Sequence, residues 1–164
     1  EWHVVVLNGM CEEVGGCSPD SPQARWLKAD LAESDGMCTL AMVHHPLFTS
    51  GDKHGPDPKV KPIYDELHAA GAEAVLSGSE GNYERFAPQD PEGNADPEGV
   101  RQFVVGTGGH FLNGFEDVSP NSEARNATDH GVLKLTLNPD GYDWEFVPVE
   151  GKTFTDSGSA ECRE

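Results

Sequence analysis

The sequence predicts an α/β fold, a parallel βαβαβ unit followed by antiparallel strands and a β-hairpin. Three observations carry this expectation. From Trp2 to Leu76, short apolar runs alternate with helix-length amphipathic segments, the pattern of parallel strands joined by right-handed crossovers. Later, two segments of period-2 hydrophobicity flank the turn Asn138-Pro139-Asp140-Gly141, which marks a hairpin. At 164 residues, without repeats or an evident boundary, the chain reads as one domain over 1–164.

Each element has a local reason. Trp2 to Leu7 (WHVVVL) is a buried strand by length and β-branching. Ser21-Pro22 opens a helix, with Ser as N-cap and Pro at the first helical position. Trp26, Leu27 and Leu31 give it an apolar side, and it ends before Gly36. Cys38 to Val43 (CTLAMV) is a second buried strand, ending at His44-His45-Pro46. Pro62 starts the next helix, whose inward side carries Ile63, Leu67 and Ala70, with Gly71 as stop signal. Ala74 to Leu76 is a third strand running into Gly78-Ser79-Glu80-Gly81. An acidic Pro/Gly loop spans Ala87 to Gly99, and Gln102 to Val105 is a strand. Leu133, Leu135 and Leu137 alternate with polar residues, as do Tyr142, Trp144 and Phe146 across the turn. The tail from Gly151 to Glu164 is small and polar.

Composition narrows the function. Eleven Lys and Arg against 29 Asp and Glu give a net charge of −18, which argues against nucleic acid or an anionic membrane as partner. No apolar run approaches the roughly 18 residues of a membrane span, and no signal peptide is visible. The chain starts at Glu1, as a processed product or a piece of something longer would. The four cysteines, Cys11, Cys17, Cys38 and Cys162, lack zinc spacing and point to an oxidised, extracellular protein. Cys11–Cys17 would close a small loop, and Cys38–Cys162 would then tie down the tail, although sequence leaves the connectivity open.

The run Leu76-Ser77-Gly78-Ser79-Glu80-Gly81-Asn82-Tyr83-Glu84-Arg85-Phe86 resembles the strand-end motif of calcineurin-like metallophosphoesterases, the superfamily that includes purple acid phosphatases. Val6-Leu7-Asn8, Gln23-x-x-Trp26-Leu27, His44-His45-Pro46-Leu47-Phe48, Val104-Val105-Gly106-Thr107-Gly108-Gly109 and Gly131-Val132-Leu133-Lys134-Leu135 follow in family order. Secreted bacterial phosphatases of that superfamily look most similar.

The resemblance implies the C-terminal half of a two-sheet α/β sandwich. It also implies a dinuclear centre that activates a water and clamps phosphoryl oxygens. In this motif the family has Gly-His-x-His, and both His bind metal; here those two positions hold Ser79 and Gly81. Of the ligands implied for this half, only His44 remains. The family's Asp-x-His, bridging Gly-Asp and Gly-Asn-His do not occur before Trp2. Gly51-Asp52 lies after His44, out of family order. Asn8, His45 and Arg85 are candidates for an anion or substrate contact. No cofactor is therefore expected of this chain alone. Zn, Mn or Fe would require ligands from elsewhere, and a weak mononuclear site would join His44 to Glu80 or Asp52.

Other features carry weaker expectations. Gly106-Thr107-Gly108-Gly109 is an anion cradle or simply a tight turn. Residues 90–96 resemble a Ca²⁺ loop loosely, lacking the sixth-position Gly and terminal Glu. Tyr83, Glu84 and Arg85 read as a structural cluster, and Asn126-Ala127-Thr128 is a glycosylation sequon. The expected function is an extracellular, phosphoesterase-derived domain, catalytically disabled, acting in binding, assembly or structure. Its partners would be copies of itself or a complementary chain, meeting an exposed sheet surface. The alternative is one part of a secreted phosphatase or phosphodiesterase whose other ligands come from a further segment or partner chain.

Overall fold

The computed structural model describes residues 1–34 and 36–163. Six strands form one mixed sheet in the order β1-β2-β3-β5-β4-β6, and three form a second sheet in the order β7-β8-β9. The ranges in the first sheet are β1 Trp2–Leu7, β2 Cys38–Val43, β3 Ala74–Ser77, β4 Tyr83–Phe86, β5 Arg101–Val105 and β6 Ser122–Asn126. The second sheet comprises β7 Gly131–Asn138, β8 Gly141–Pro148 and β9 Ser157–Glu161. β1, β2, β3 and β5 run parallel, β4 is antiparallel to both β5 and β6, and the second sheet is antiparallel throughout. The α/β expectation and the hairpin are observed.

Helices α1 (Pro22–Glu33) and α2 (Lys61–Ala69) cover one face of the large sheet. The Ser21 hydroxyl accepts the Ala24 N–H at 3.2 Å, capping α1 as its Ser-Pro start requires. Ala24, Leu27 and Leu31 face inward, but Trp26 is half-exposed, so the helix buries a narrower stripe than expected. In α2, Ile63, Tyr64 and Leu67 are buried; Ala70 lies beyond the helix end and is exposed, and Tyr64 supplies the third inward side chain. Alternation in β2 sends Ala41 and Val43 to the helices and Leu40 and Met42 to the second sheet.

Strands β4, β6 and β9 lack a clear sequence signal. β9 is drawn from the polar tail, and the Cys38–Cys162 disulfide follows it. Cys11–Cys17 is the other bridge, so both expected pairings form. The sequon asparagine is buried: Asn126 Nδ2 donates to Asp129 O at 2.8 Å, and Oδ1 accepts the Thr128 and Asp129 N–H groups.

Each sheet has two edge strands, β1 and β6 in the first and β7 and β9 in the second. β1 pairs only with β2, and β7 only with β8. Val5 and Leu7 face the helices, whereas Val4 and Val6 point to the other face and are 45% and 71% exposed. The second sheet does not cover that strip.

Candidate functional site

The parallel strands β1, β2 and β3 end together at Asn8, His44 and Gly78, the usual location of sites in such sheets. The Gly78 N–H donates to His44 O at 3.0 Å, closing this end. His44 is exposed and stacks edge-on against His45 with ring centroids 5.1 Å apart. Partial burial, then the neighbouring His45 and His54, push its imidazole below its ordinary pKa. His45 packs against Gly9, and its Nδ1 is buried without a hydrogen-bond partner. Asn8 is tied at its backbone to the Gln23 side chain, and its own Oδ1 accepts the Met10 N–H at 2.8 Å. The space beside His44 is a cleft of about 430 Å³ walled by Val6, Met42, Leu76, Val105 and Leu133 with Ser77 and Gly78, without a lining carboxylate.

Ser79 and Gly81, where the resemblance implies His, have left-handed backbone, with φ 73° and 65°. Gly81 has a second constraint. A Cβ there would stand 2.5 Å from Phe111 O and collide with the Asn113 amide. The segment holding those atoms is fixed, since Asn113 N donates to Gly81 O at 2.9 Å and Asn113 Nδ2 to Glu80 O at 3.1 Å. Space for a side chain at position 81 is therefore taken by backbone.

These residues do not fit the family's dinuclear centre, which needs several preorganised ligands. His44 is the one donor at its expected place. Among the described residues no group of three or more His, Cys, Asp and Glu is arranged to hold a metal ion. Glu80 is turned into the protein, against Gly51 and the His54 N–H, so the expected His44–Glu80 pairing has no support in this geometry.

The Tyr83-Glu84-Arg85 block is a clamp between layers. Glu84 is fully buried and accepts from Ser50 N at 2.7 Å, Ser50 Oγ and Ser122 Oγ at 2.5 Å each, and Thr49 Oγ1 at 3.3 Å. It thereby fixes the loop that follows His44. Arg85 donates through Nε and Nη2 to Asp156 at 2.7 and 3.0 Å, pairs with Glu123, and lies 5.2 Å over the Trp144 ring. A guanidinium so engaged has no free fork for an anion. Gly106-Thr107-Gly108-Gly109 serves as a turn: Gly106 N donates to Asn82 O and Thr107 Oγ1 to Gly131 O, at 2.8 and 2.9 Å. In the 90–96 loop, Asp90 accepts three amide N–H groups of Glu92 and Asn94, so its oxygens are already used.

Sequence reasoning missed the segment 111–113 that closes over Gly81. It has no motif, and only the Gly at position 81 signals that something approaches closely.

No protein-family model matches the chain. It is 32% identical to purple acid phosphatase 22 of Arabidopsis thaliana over 126 residues, 71% of this chain and 29% of that protein. The yellow lupin purple acid phosphatase PPD1 superposes with a TM-score of 0.82 at 17% identity, over 96% of this chain and 30% of that one. GAP50, described as the anchor in the inner membrane complex of Plasmodium, superposes with a TM-score of 0.76 at 16% identity, over 99% of this chain and 50% of that one. The chain thus spans under a third of the curated relatives it matches.

Proposed function

This chain belongs to the purple acid phosphatase kind of calcineurin-like metallophosphoesterases, matching part of their length, and we propose that it is an extracellular unit of assembly rather than a catalyst. The filled space at Gly81 carries this reading. A missing ligand is reversible by one mutation, but a ligand position occupied by the Phe111 carbonyl requires the 111–113 segment to move. The cleft beside His44 supports it too: apart from His44 and Ser77 its side chains are apolar, and a phosphoryl group needs charged or metal partners that this lining does not supply. The two disulfides suit an oxidising compartment.

The edge strands β1 and β7 form the surface for assembly, and exposed Val4 and Val6 give it apolar character. Its occupant is a second copy or a complementary chain. GAP50 shares the fold and is an anchor by its description, which supports a non-catalytic use. With a net charge of −18, copies repel at low salt, so pairing strengthens as ionic strength rises.

The test is sedimentation velocity at rising salt, beside aryl phosphate hydrolysis with Zn²⁺, Mn²⁺ and Fe³⁺. The reading expects a larger species at high salt that Val6→Lys removes, and no metal-dependent turnover. Hydrolysis that appears when a further segment of a metallophosphoesterase is supplied would favour the alternative, a component of a secreted phosphatase or phosphodiesterase completed by ligands from elsewhere.

A further inference from the structure

Two asparagines precede a glycine, Asn8 and Asn113. In such a pair the side-chain carbonyl carbon is within covalent reach of the next backbone nitrogen, and no Cβ hinders the approach. The structure treats the two pairs differently. The Asn8–Gly9 peptide group is held: Asn8 O accepts Gln23 Nε2 at 2.9 Å, and Asn8 Oδ1 accepts the Met10 N–H at 2.8 Å. Gly9 is itself buried against His45. The Asn113–Gly114 peptide group is free. Among the described hydrogen bonds, Asn113 O accepts none and Gly114 N donates none. Asn113 is half-buried, and its Oδ1, without a hydrogen-bond partner, is open to solvent.

The groups on either side of that peptide are tied to two other segments. Asn113 N donates to Gly81 O at 2.9 Å, and Asn113 Nδ2 to Glu80 O at 3.1 Å and Phe111 O at 3.5 Å. Gly114 O accepts the Asp52 N–H and Asn82 Nδ2, each at 3.3 Å. Phe115 then forms an antiparallel bridge with Gly51. One unbonded peptide group thus lies between the contacts that hold the 80–82 turn and those that hold residues 51–52.

We propose that Asn113 is a site of spontaneous modification, converted to aspartate and isoaspartate through attack by Gly114 N, and that the conversion releases the 111–114 segment from the 80–82 turn. Rotation of the unbonded peptide group, a rigid plane, brings the nitrogen onto Asn113 Cγ. Gly114 N loses its proton to hydroxide and bonds to Cγ, the Cγ–Nδ2 bond breaks, and ammonia leaves. Water then opens the five-membered imide at either carbonyl, so the net change is uptake of one water and loss of one ammonia. Both products carry a carboxylate in place of the amide, and a carboxylate has no proton to donate to the Glu80 and Phe111 carbonyl oxygens. Isoaspartate also lengthens the backbone by one methylene between Asn113 N and Gly114 O. The bonds to Gly81 O and from Asp52 N then cannot both persist. The closure over Gly81 loosens in this way whether or not the chain assembles.

The test is incubation of the full chain at body temperature, at neutral and at mildly alkaline pH, followed by mass spectrometry of the tryptic peptides 1–25 and 102–125. Aspartate and isoaspartate should accumulate at position 113, and severalfold more slowly at position 8. The rate should rise with pH, because the attacking nitrogen must lose its proton. Gly114→Ala should slow the conversion severalfold, since its methyl hinders the attack; that methyl meets only the end of the Asp52 side chain, at 2.9 Å. Separated by anion exchange, the converted chain should show faster amide hydrogen exchange at Asp52 and at position 113 than the unconverted chain. No conversion at 113, faster conversion at 8, or an unslowed Gly114→Ala would overturn the site. Conversion with unchanged exchange at Asp52 would overturn the release. The wild-type comparison of positions 8 and 113 needs no variant, so it decides the site even if Gly114→Ala does not fold.

Discussion

The Phe111 carbonyl oxygen occupies the place where a side chain at Gly81 would begin, 2.5 Å from an ideal Cβ. The backbone at residue 81 is left-handed as well, with φ 65°. Gly81→His therefore meets two obstacles, a strained backbone and a fixed neighbour. We expect it to lower stability by about 3 kcal/mol without raising Zn²⁺ affinity, as read by denaturant unfolding and metal titration. Unchanged stability would mean that the 111–113 segment yields easily.

Ser79 is the milder case. Its φ of 73° costs a non-glycine residue about 1–2 kcal/mol, while glycine loses about 0.4–1 kcal/mol more chain entropy on folding. Ser79→Gly should stabilise by about 0.5 kcal/mol in the same assay, and a clear loss would show a side-chain role for Ser79.

Glu84 is the anchor of the loop after His44. Replacing it with Gln leaves hydroxyl donors of Thr49, Ser50 and Ser122 competing for one oxygen. The expected loss is about 2–3 kcal/mol, with faster amide exchange at Ser50. Exchange that is unchanged would remove Glu84 from this role.

The two disulfides should differ in worth. Cys38 and Cys162 are 124 residues apart, Cys11 and Cys17 only 6. By loop-closure entropy the long bridge contributes about 5 kcal/mol and the short one about 2. Thermal melts of the two double Cys→Ala variants should show that order, and the reverse order would contradict the entropic account.

Acid should destabilise the protein in two stages. Burial pushes the Asp156 carboxyl up, but the Arg85 fork and the Tyr83 hydroxyl outweigh it and hold it below the usual carboxylate range. The Phe154 N–H, with that of Thr153, lowers Asp129 likewise. His44 is lowered by burial and by neighbouring imidazoles. Each group binds its proton less readily in the folded state, so its stabilisation is full above the unfolded pKa and is lost as pH falls through the folded one. Stability should begin to fall below about pH 6.5 and fall again below about pH 4. His44→Ala should remove the first stage and Asp156→Asn should reduce the second, measured by denaturant midpoints across pH.

Much of this architecture is written locally. The WHVVVL and CTLAMV runs, Ser21-Pro22 and the Asn138–Gly141 turn each specify their element with nearby residues alone. Strands β6 and β9 are illegible for the opposite reason: Ser122–Asn126 and Ser157–Glu161 are polar, and they become strands by pairing with β4 and β8. That Ser79 and Gly81 stand where the resemblance implies His is legible from the motif. Closure of the space at Gly81 is not, because Phe111 approaches through its carbonyl, which any residue type carries. Glu80 looked like a spare carboxylate for His44, but its burial depends on a tertiary contact with Gly51.

The most direct test of the central claim is the transition-metal content of the purified chain after equilibration with excess Zn²⁺ and removal of unbound ion, by mass spectrometry. A closed position 81 predicts well under one Zn²⁺ per chain, in the wild type and in the Ser79→His, Gly81→His double variant alike. One or two tightly held ions per chain in either protein would contradict it and place a working metal centre beside His44.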